Sequence, residues 1–343
     1  MLEVDFRTPF LDVAQGQLDF AEEMENLGYG CYWHAHSVGR DFRRLDTLMM
    51  MAGIAARTNR IKLGTAVLQA VLYAPVALAR ILMTLDHLSN GRVILGVGTG
   101  WVPKEFANLG VPFEERGGRT DEALEILQRL WTEEEVTYEG RYYTIREARL
   151  TPQPVQRPHP RILIGGVYRA RQRSAPGQKG LPEWSQRALR RVVAHGDGWI
   201  VPSSIEPENA AEVLAQGLEM IKALGREMGR TITDERFELV AEAGAFTVHD
   251  NREQALKEAK DAYMSRVAGG FYQVMGNPSF DEMVANGAWV CGSAEDVAEF
   301  ISRWLEVKKK VPALKRIQLN PASFNPIEQL RRFHAEVRPM IGF

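Results

Sequence analysis

The feature that most constrains the fold of this chain is a regular alternation of short apolar segments with longer segments of helical periodicity. Such an alternation is typical of a parallel sheet whose strands are joined by helices. The strand-like segments are residues 2–10, 31–33, 61–68, 93–97, 161–164, 198–201, 237–248 and 317–319. The helix-like segments are residues 13–27, 45–56, 75–88, 121–130, 183–194 and 207–228, segments that open near 252 and 293, and residues 327–337. The sequence therefore predicts an α/β fold.

The number of segments favours a closed (β/α)8 TIM barrel over an open sheet. An open doubly wound sheet gives a similar pattern but usually contains fewer strands. A barrel also accommodates all 343 residues in one domain, because single-domain barrels range from about 200 to over 400 residues. We therefore expect one barrel domain over residues 1–343, and we expect Thr120 to cap the helix that follows it.

Composition excludes several classes of protein. Apolar residues make up 45% of the chain and charged residues 25%, which are ordinary globular values. The net charge of −2 gives no general attraction to nucleic acid or to an anionic membrane. Two distant cysteines, Cys31 and Cys291, predict buried thiols rather than a disulfide framework. We see no secretion signal and no apolar run near the roughly 20 residues of a membrane helix, so we expect a cytoplasmic protein.

Three stretches break the alternation, at residues 101–160, 167–184 and 267–290. We interpret them as insertions that follow strands. That would place them at the C-terminal face of the barrel, where active sites are built. Within the first stretch, residues 136–143 predict a small hairpin around a glycine. The second is polar, and its four basic residues are Arg169, Arg171, Arg173 and Lys179.

Several motifs carry a resemblance to a known family. The strongest is TLDHLSNGRVILGVGTGW at residues 84–101. The others are the segments at residues 61–68, 114–131, 196–199, 290–297 and 336–340. In this order and spacing, the chain resembles the bacterial luciferase-like family, which includes flavin-dependent monooxygenases and deazaflavin-dependent reductases. The resemblance covers nearly the whole chain and implies a flavin-type cofactor at the C-terminal face of the barrel.

The glycine-rich segment Gly96–Gly100 follows a predicted strand. Glycines there let the backbone approach a planar or anionic ligand closely, although a tight strand exit without a ligand would also use them. The spacing fits neither the dinucleotide-binding nor the phosphate-loop motif. The resemblance implies instead that Gly98, Gly100 and Trp101 border the isoalloxazine ring. Some deazaflavin-dependent members carry asparagine where this chain has Lys104.

The segment at residues 64–67 is a second candidate for contact with the ring. In the family, a non-proline cis peptide bond often lies here and supports the face of the ring, which would make Ala66–Val67 the cis bond in this chain. We include Gln69, just beyond it, among the candidate cofactor-binding residues. Taken without the resemblance, this segment reads as an ordinary strand.

Two histidines near the end of the second strand are candidate catalytic residues. Alternation along a strand places His34 and His36 on one face, which could line a pocket at the barrel mouth. Imidazole titrates near neutral pH and therefore suits proton transfer. Family members often read Asp/Glu-His at the positions of His36 and Ser37, so Ser37 stands where the usual histidine is expected. A pair of metal ligands is the alternative, but no third ligand is suitably placed.

Gly165 and Gly166 end another predicted strand. The resemblance implies that the cofactor phosphate lies nearby, at the start of the helix that opens near residues 183–185. A helix N-terminus favours anions. We therefore assign Gly165, Gly166 and Arg169 to cofactor binding. The basic stretch between the glycines and the helix would act either as a lid that adds positive charge or as a solvated surface loop.

The favoured hypothesis is an FMN-dependent monooxygenase that forms a homodimer, as family members commonly do. Reduced FMN, supplied by a separate flavin reductase or reduced in place by NAD(P)H, would react with O₂ and oxygenate a small apolar or carbonyl-bearing substrate. An apolar pocket that excludes water would be formed by Trp101, Phe271, Tyr272 and Trp289.

Two alternatives stay open. The first keeps the barrel and uses a deazaflavin, coenzyme F420, for hydride transfer, because residues 84–143 are similar to deazaflavin-type relatives. The second is a non-catalytic flavin-binding barrel, which the displaced histidine motif at His36–Ser37 motivates. Neither alternative involves nucleic acid or a membrane.

Overall fold

The computed structural model of the chain describes residues 1–8, 13–39, 45–170, 182–201, 207–268 and 278–342. Its strands are β1 (Glu3–Arg7), β2 (Cys31–His34), β3 (Lys62–Thr65), β4 (Val93–Val97), β5 (Val136–Glu139), β6 (Thr144–Ala148), β7 (Arg161–Gly165), β8 (Tyr168–Ala170), β9 (Pro182–Trp184), β10 (Gly198–Val201), β11 (Glu238–Val248), β12 (Trp289–Gly292) and β13 (Leu314–Pro321). Its α-helices are α1 (Ala14–Asn26), α2 (Thr47–Arg57), α3 (Pro75–Leu88), α4 (Pro103–Asn108), α5 (Arg116–Thr132), α6 (Gln186–His195), α7 (Pro207–Glu227), α8 (Arg252–Ala268), α9 (Phe280–Ala285), α10 (Ala294–Lys310) and α11 (Pro326–Arg332). Short 3-10 helices span Ala70–Leu72, Phe113–Glu115 and Arg338–Ile341, and a π-helical turn spans Phe333–Val337.

Eight parallel strands close into a barrel. Their order around it is β1, β2, β3, β4, β7, β10, β11 and β13, and β13 pairs with β1. The pairing of β10 with β11, for example Trp199 beside Leu239, closes the cylinder. The prediction of a (β/α)8 TIM barrel is therefore confirmed. A further strand, β12, pairs with the second half of β11.

The helices form the outer layer of the barrel. On α10, which opens near residue 293 as predicted, Val297, Ile301 and Trp304 are buried along one face. Ser293 begins this helix with a capping box, in which the Ser293 hydroxyl and the Asp296 carboxylate each accept a backbone N–H. Within the described ranges, no helix combines the length and the apolarity needed to cross a membrane.

The barrel interior is apolar on one side. Barrel strands turn alternate side chains toward the interior and toward the helices. Trp33 on β2 lies inside, and it fills the space that a side chain at position 64 would need, which explains Gly64 on the next strand. The apolar cluster of the interior consists of Cys31, Trp33, Ala66, Ile94, Leu163, Ile200 and Val240.

The opposite side of the barrel interior is charged. Arg316 on β13 pairs with Asp5, at 3.0 Å between Nη1 and Oδ2, and with Glu238, at 2.7 Å between Nε and Oε1. Asp5 also accepts hydrogen bonds from the Cys31 N–H and the Trp33 indole. Burial raises the pKa of Asp5 to about 6, because the loss of solvation outweighs the attraction to Arg316. This network fills the amino-terminal half of the barrel, since Arg316 is level with Glu3.

The segment at residues 84–101 folds as predicted, since α3 and β4 have the predicted bounds. The turn between them uses left-handed backbone at Asn90 and Gly91. Arg92 is buried and donates five hydrogen bonds, whose acceptors belong to Ala55, Thr58, Ile61 and Ser89. Arg92 therefore ties the start of β4 to the end of α2 and to the residue before β3.

Two expectations about local structure are wrong. Thr120 does not cap a helix, because α5 begins at Arg116 and the Thr120 hydroxyl donates to the Arg116 carbonyl oxygen within it. The first turn of α5 is polar and contains two glycines, so apolar periodicity did not reveal it. The stretch at residues 267–290 does not follow a strand. It follows α8 and leads into β12.

The other two irregular stretches contain hairpins. The predicted hairpin is formed by β5 and β6, and it packs along α5 through Glu122, whose carboxylate accepts the N–H groups of residues 141–143. A second antiparallel hairpin is formed by β8 and β9, which flank the basic stretch that the sequence predicted to be a lid or a surface loop. Residues 171–181 and 269–277 lie outside the described residues, and so do the predictions for Arg171, Arg173, Lys179, Phe271 and Tyr272.

Candidate active site at the mouth of the barrel

The carboxyl ends of β3, β4 and β7 meet around the side chain of Val67. The peptide bond between Ala66 and Val67 is cis, as the resemblance implies. A Cβ atom added to Gly98 would lie 2.5 Å from Cγ2 of Val67, and one added to Gly165 would lie 3.2 Å from its Cγ1. Four of the predicted cofactor residues are therefore brought together, and the two glycines make room for Val67.

Gln69 and Gly100 lie side by side on the adjacent rim. A Cβ atom added to Gly100 would lie 3.0 Å from Oε1 of Gln69 and 2.7 Å from the ring of Phe106. Gln69 donates from Nε2 to the buried Glu105 carboxylate at 3.2 Å, and this carboxylate also accepts the Val38 N–H at 2.9 Å. Packing against Phe106 and Gln69 thus accounts for the glycine at position 100 without contact to a ligand.

His36 lies in the loop after β2 and is buried. Its Nε2 lies 3.0 Å from the hydroxyl oxygen of Tyr73. Burial raises the pKa of Tyr73 to about 12, with a further contribution from Asp46, so the phenol keeps its proton at neutral pH. His36 and Tyr73 form a hydrogen-bonded pair that is chemically suited to proton transfer.

His34 occupies a different environment. It is fully buried, its Nε2 lies 3.2 Å from Oε1 of Gln17 on α1, and its ring stands 6.1 Å from that of Tyr32. Tyr32 belongs to the core between barrel and helices, whereas Trp33 belongs to the barrel interior. The expectation of a shared pocket face is therefore not met for His34, because its face of β2 is the one turned toward the helices.

Trp101 and Arg169 complete the predicted set. Trp101 is 43% exposed, which places it at the surface beyond the glycine-rich loop. Arg169 lies in β8, but its side chain is outside the described part of the structure. Over the described ranges, no group of three or more His, Cys, Asp or Glu side chains is arranged to hold a metal ion.

A cavity of about 380 Å³ lies between the end of β7 and the start of α6. Gly166 lines it with left-handed backbone, at a φ of +79°, and open space surrounds the position of a Cβ atom there. Ser185 caps α6 by accepting the Ala188 N–H at 3.3 Å. The N–H groups that precede Ala188 in the first turn have no partner within the helix, so they can face a ligand in the cavity. We call this space, with its lining residues, the Gly166 cavity.

The Gly166 cavity carries a small excess of positive charge. Its charged lining residues are Arg116, Arg187 and Arg191 together with Glu114 and Glu183, three positive and two negative charges for a net +1. Arg191 is paired with Asp121 on α5. Arg187 is exposed in the first turn of α6, where a basic residue opposes the helix dipole. An anion bound in the cavity would offset this unfavourable interaction.

The structure also brings together residues that the sequence did not single out. On the other side of the mouth, Arg7 on β1 pairs with Glu242 on β11 and donates from Nη2 to the Ala66 carbonyl oxygen at 3.1 Å. A signal for Arg7 was present, because Glu3, Asp5 and Arg7 alternate with apolar residues and so face one side of the strand. Glu242 had no comparable signal.

Comparison with known proteins identifies the family. A family model described as luciferase-like monooxygenase matches residues 8–306. The chain belongs to the luciferase-like monooxygenase family. The resemblance drawn from the sequence motifs is thus confirmed. The match includes six of the eight barrel strands, from β2 to β11.

Named relatives of this family member include two oxidoreductases. An F420-dependent glucose-6-phosphate dehydrogenase of Kineococcus radiotolerans is 34% identical over 240 residues, which are 67% of this chain and 65% of that protein. An FMNH2-dependent dimethylsulfone monooxygenase of Pseudomonas putida is 24% identical over 287 residues, 79% of this chain and 71% of that protein. An uncharacterized protein of Mycobacterium tuberculosis is 36% identical over 176 residues, 51% of this chain. This match spans only 56% of the length of the mycobacterial protein.

Solved structures share the luciferase-like fold over the full chain. A monooxygenase from Streptomyces bottropensis superimposes with a TM-score of 0.77 at 21% identity, and the match covers 98% of this chain and 99% of that one. An F420-dependent secondary alcohol dehydrogenase in complex with an F420-acetone adduct also gives a TM-score of 0.77, at 17% identity, over 100% of this chain and 99% of that one. At these identities the likeness establishes the fold.

Proposed function

We propose that this luciferase-like protein is an oxidoreductase that holds a phosphorylated flavin-type cofactor across the mouth of its barrel. The cofactor phosphate would occupy the Gly166 cavity, and the ring would lie toward Val67. The observation that carries the proposal is that three features meet after β7. They are Gly166 with open space around it, the N-terminus of α6, and Arg187. This combination suits a phosphate group.

Two cofactors suit this site. The comparison with relatives reverses the order of preference that the sequence analysis gave them. FMN with O₂, the hypothesis that the sequence favoured, is supported by the FMNH2-dependent relative at 24% identity. Coenzyme F420 is supported by the F420-dependent relative at 34% identity. Because the second relative is more similar, we place hydride transfer with F420 first and FMN-dependent oxygenation second. When bound, the deazaflavin exchanges a hydride with the carbon of a small alcohol or carbonyl compound.

The residues of the chain would bind, orient and move a proton. Val67 would present its side chain to the ring, and Arg7 would fix the Ala66 carbonyl group through its hydrogen bond. His36, held by Tyr73, would take the proton of a substrate hydroxyl group or return it to a carbonyl oxygen. Hydride and proton transfer together then interconvert the alcohol and the carbonyl compound.

Further proposals rest on the family resemblance. We propose that residues 1–343 form one domain, that the protein is a homodimer in the cytoplasm, and that Gln69, Gly98, Gly100, Trp101 and Arg169 lie near the cofactor. Under the FMN alternative, a separate flavin reductase or NAD(P)H would supply the electrons.

The test is a titration of the purified protein with F420 and with FMN, followed by fluorescence. We expect F420 to bind, and we expect inorganic phosphate to compete with it for the Gly166 cavity. A preference for FMN would reverse the order of the two cofactors. Failure to bind either would contradict the proposal. Binding without turnover of any alcohol, ketone or oxygen acceptor would favour the non-catalytic barrel.

A further inference from the structure

The mouth of the barrel has two chemically different halves. Around β3, β4 and β7 it is lined by small residues that pack on Val67. We place the ring of the proposed cofactor in this half. Around β1, β11 and β13 it is lined by polar side chains. The inward-facing polar residues of this second half are Arg7, Glu242, Gln318 and Asn320. We call this group the polar half of the mouth.

Gln318 is the least expected member of the polar half. It lies on β13, one layer above Arg316, and its side chain is fully buried. Among the described residues, neither Nε2 nor Oε1 of Gln318 has a hydrogen-bond partner. A buried amide without partners is destabilising, and native proteins keep few of them. Such a group calls for a ligand that satisfies it.

Asn320 repeats this pattern two residues further along β13. It is 9% exposed, and its Nδ2 donates to the Thr8 carbonyl oxygen at 3.3 Å. Its Oδ1 has no partner within the described part of the chain. Because residues two apart on a strand share a face, the two amides offer adjacent donors and acceptors to one ligand.

The Arg7–Glu242 ion pair determines the net charge of the polar half of the mouth. β1 and β11 are the two neighbours of β13, so the ion pair joins the strands on either side of the two amides. The side chains of Arg7 and Glu242 are only 15% and 24% exposed, and their charges balance. The polar half of the mouth therefore has no net charge of its own to offer to an ionic group.

We propose that Gln318 and Asn320 bind an oxygen-bearing group of the substrate, and that the substrate is an uncharged hydroxylated compound such as a diol or a hydroxyketone. One oxygen would react beside the ring near His36, and a second would exchange hydrogen bonds with the two amides. This inference rests on the proposed function, because the position of the ring decides which oxygen reacts. A hydrocarbon-like substrate would leave the amides unsatisfied, and a site of this kind rejects it.

The first test compares two buried glutamines in the protein without ligand. Gln329 is also buried, but it accepts the Val248 N–H at 2.7 Å and donates to the Val248 carbonyl at 3.2 Å. Replacement of Gln329 by methionine should lower the melting temperature by about 1–3 °C or more, because it leaves these groups unpaired. Gln318→Met should leave the melting temperature unchanged or raise it. An equal loss in both variants would overturn the proposal, since Gln318 would then be satisfied inside the protein.

The second test measures selectivity with two matched probes, cyclohexanol and trans-cyclohexane-1,2-diol. We expect the cofactor-loaded protein to bind the diol at least about ten-fold more tightly, as one well-made hydrogen bond allows. Gln318→Met and Asn320→Leu should reduce this ratio toward one. Equal affinity of the unmodified protein for both probes would overturn the assignment of substrate class. The absence of measurable binding of the diol would overturn it as well.

A cofactor titration separates this inference from the proposed function. We expect Gln318→Met to bind F420 and FMN as the unmodified protein does. If the variant loses cofactor affinity by more than about ten-fold and keeps its selectivity, Gln318 serves the cofactor and the inference fails. If the unmodified protein binds no cofactor, the proposed function fails, while the melting temperatures of the two glutamine variants still decide whether Gln318 lacks a partner.

Discussion

The imidazole Nε2 of His36 lies 3.0 Å from the hydroxyl oxygen of Tyr73. This contact joins the loop after β2 to the end of the 3-10 turn after β3, two elements that open onto the mouth of the barrel. Burial keeps the Tyr73 phenol protonated at neutral pH, and the direction of the hydrogen bond follows the tautomer of the imidazole. The tyrosine thereby fixes the orientation of the imidazole ring of His36.

Replacement of either partner should reduce turnover without loss of cofactor affinity. We expect His36→Gln to lower kcat by about a hundred-fold or more, as loss of a general acid–base does. Tyr73→Phe should lower it by about ten-fold, because it removes one hydrogen bond. The matched control is His34→Gln, which breaks the contact with Gln17 in the helix layer and should lower stability alone. Equal losses of kcat in the two histidine variants would contradict the assignment.

Arg187 provides a test of the Gly166 cavity. We expect Arg187→Ala to weaken cofactor binding by about ten-fold or more, because a charge-assisted contact to phosphate is worth roughly 1.5–3 kcal/mol. The loss should shrink at high salt. Arg190→Ala, on the same helix and also exposed, removes the same charge outside the cavity and should leave the dissociation constant unchanged. The same effect in both variants would show that only the general charge of α6 matters.

The barrel could be predicted from the sequence because its elements follow local rules. Pro75 suits the first turn of α3, and Asn90 and Gly91 supply the left-handed turn before β4. Where local signals were polar, the prediction failed, as in the first turn of α5 before Thr120. Periodicity detects an apolar face, and a polar turn has none.

The site was predicted less completely because it depends on pairs that are distant in sequence. Alternation correctly placed His34 off the face of Trp33, but it cannot say which face of a strand looks into the barrel. That choice depends on the partners, here Gln17 on α1. The pairing of Arg7 with Glu242 and the isolation of Gln318 likewise follow from the closure of the barrel.

Arg92 should be essential for stability and dispensable for chemistry. The acceptors of its five side-chain hydrogen bonds are carbonyl and hydroxyl oxygens of buried residues at the amino-terminal end of the barrel. Arg92→Lys keeps the charge but loses the planar set of donors, so we expect a loss of about 2–4 kcal/mol in the free energy of unfolding. Arg80→Lys, at an exposed position of α3, is the control. At a temperature where both variants are folded, kcat should be unchanged, and a loss of kcat in Arg92→Lys there would argue against a purely structural role.

His195 predicts how stability depends on pH. It lies at the end of α6 with Nδ1 2.8 Å from Oε1 of Gln128, and burial lowers its pKa to about 4, with Arg191 and Arg230 acting in the same direction. In the unfolded chain the pKa is about 6.5. Between these values only the unfolded state binds the proton, so the contribution of His195 to stability is intact above about pH 6.5 and is lost as the pH falls toward about 4.

The variant His195→Gln removes this titration. We expect unfolding in urea at about pH 7.5 and about pH 4.5 to show that acidification costs the unmodified protein more stability than the variant, by about 1–3 kcal/mol. The comparison at about pH 7.5 serves as the control, because His195 is neutral in both states there and any difference reflects packing alone. A difference between the two proteins that stays constant over this range, or that favours the unmodified protein at low pH, would show that His195 is protonated in the folded state.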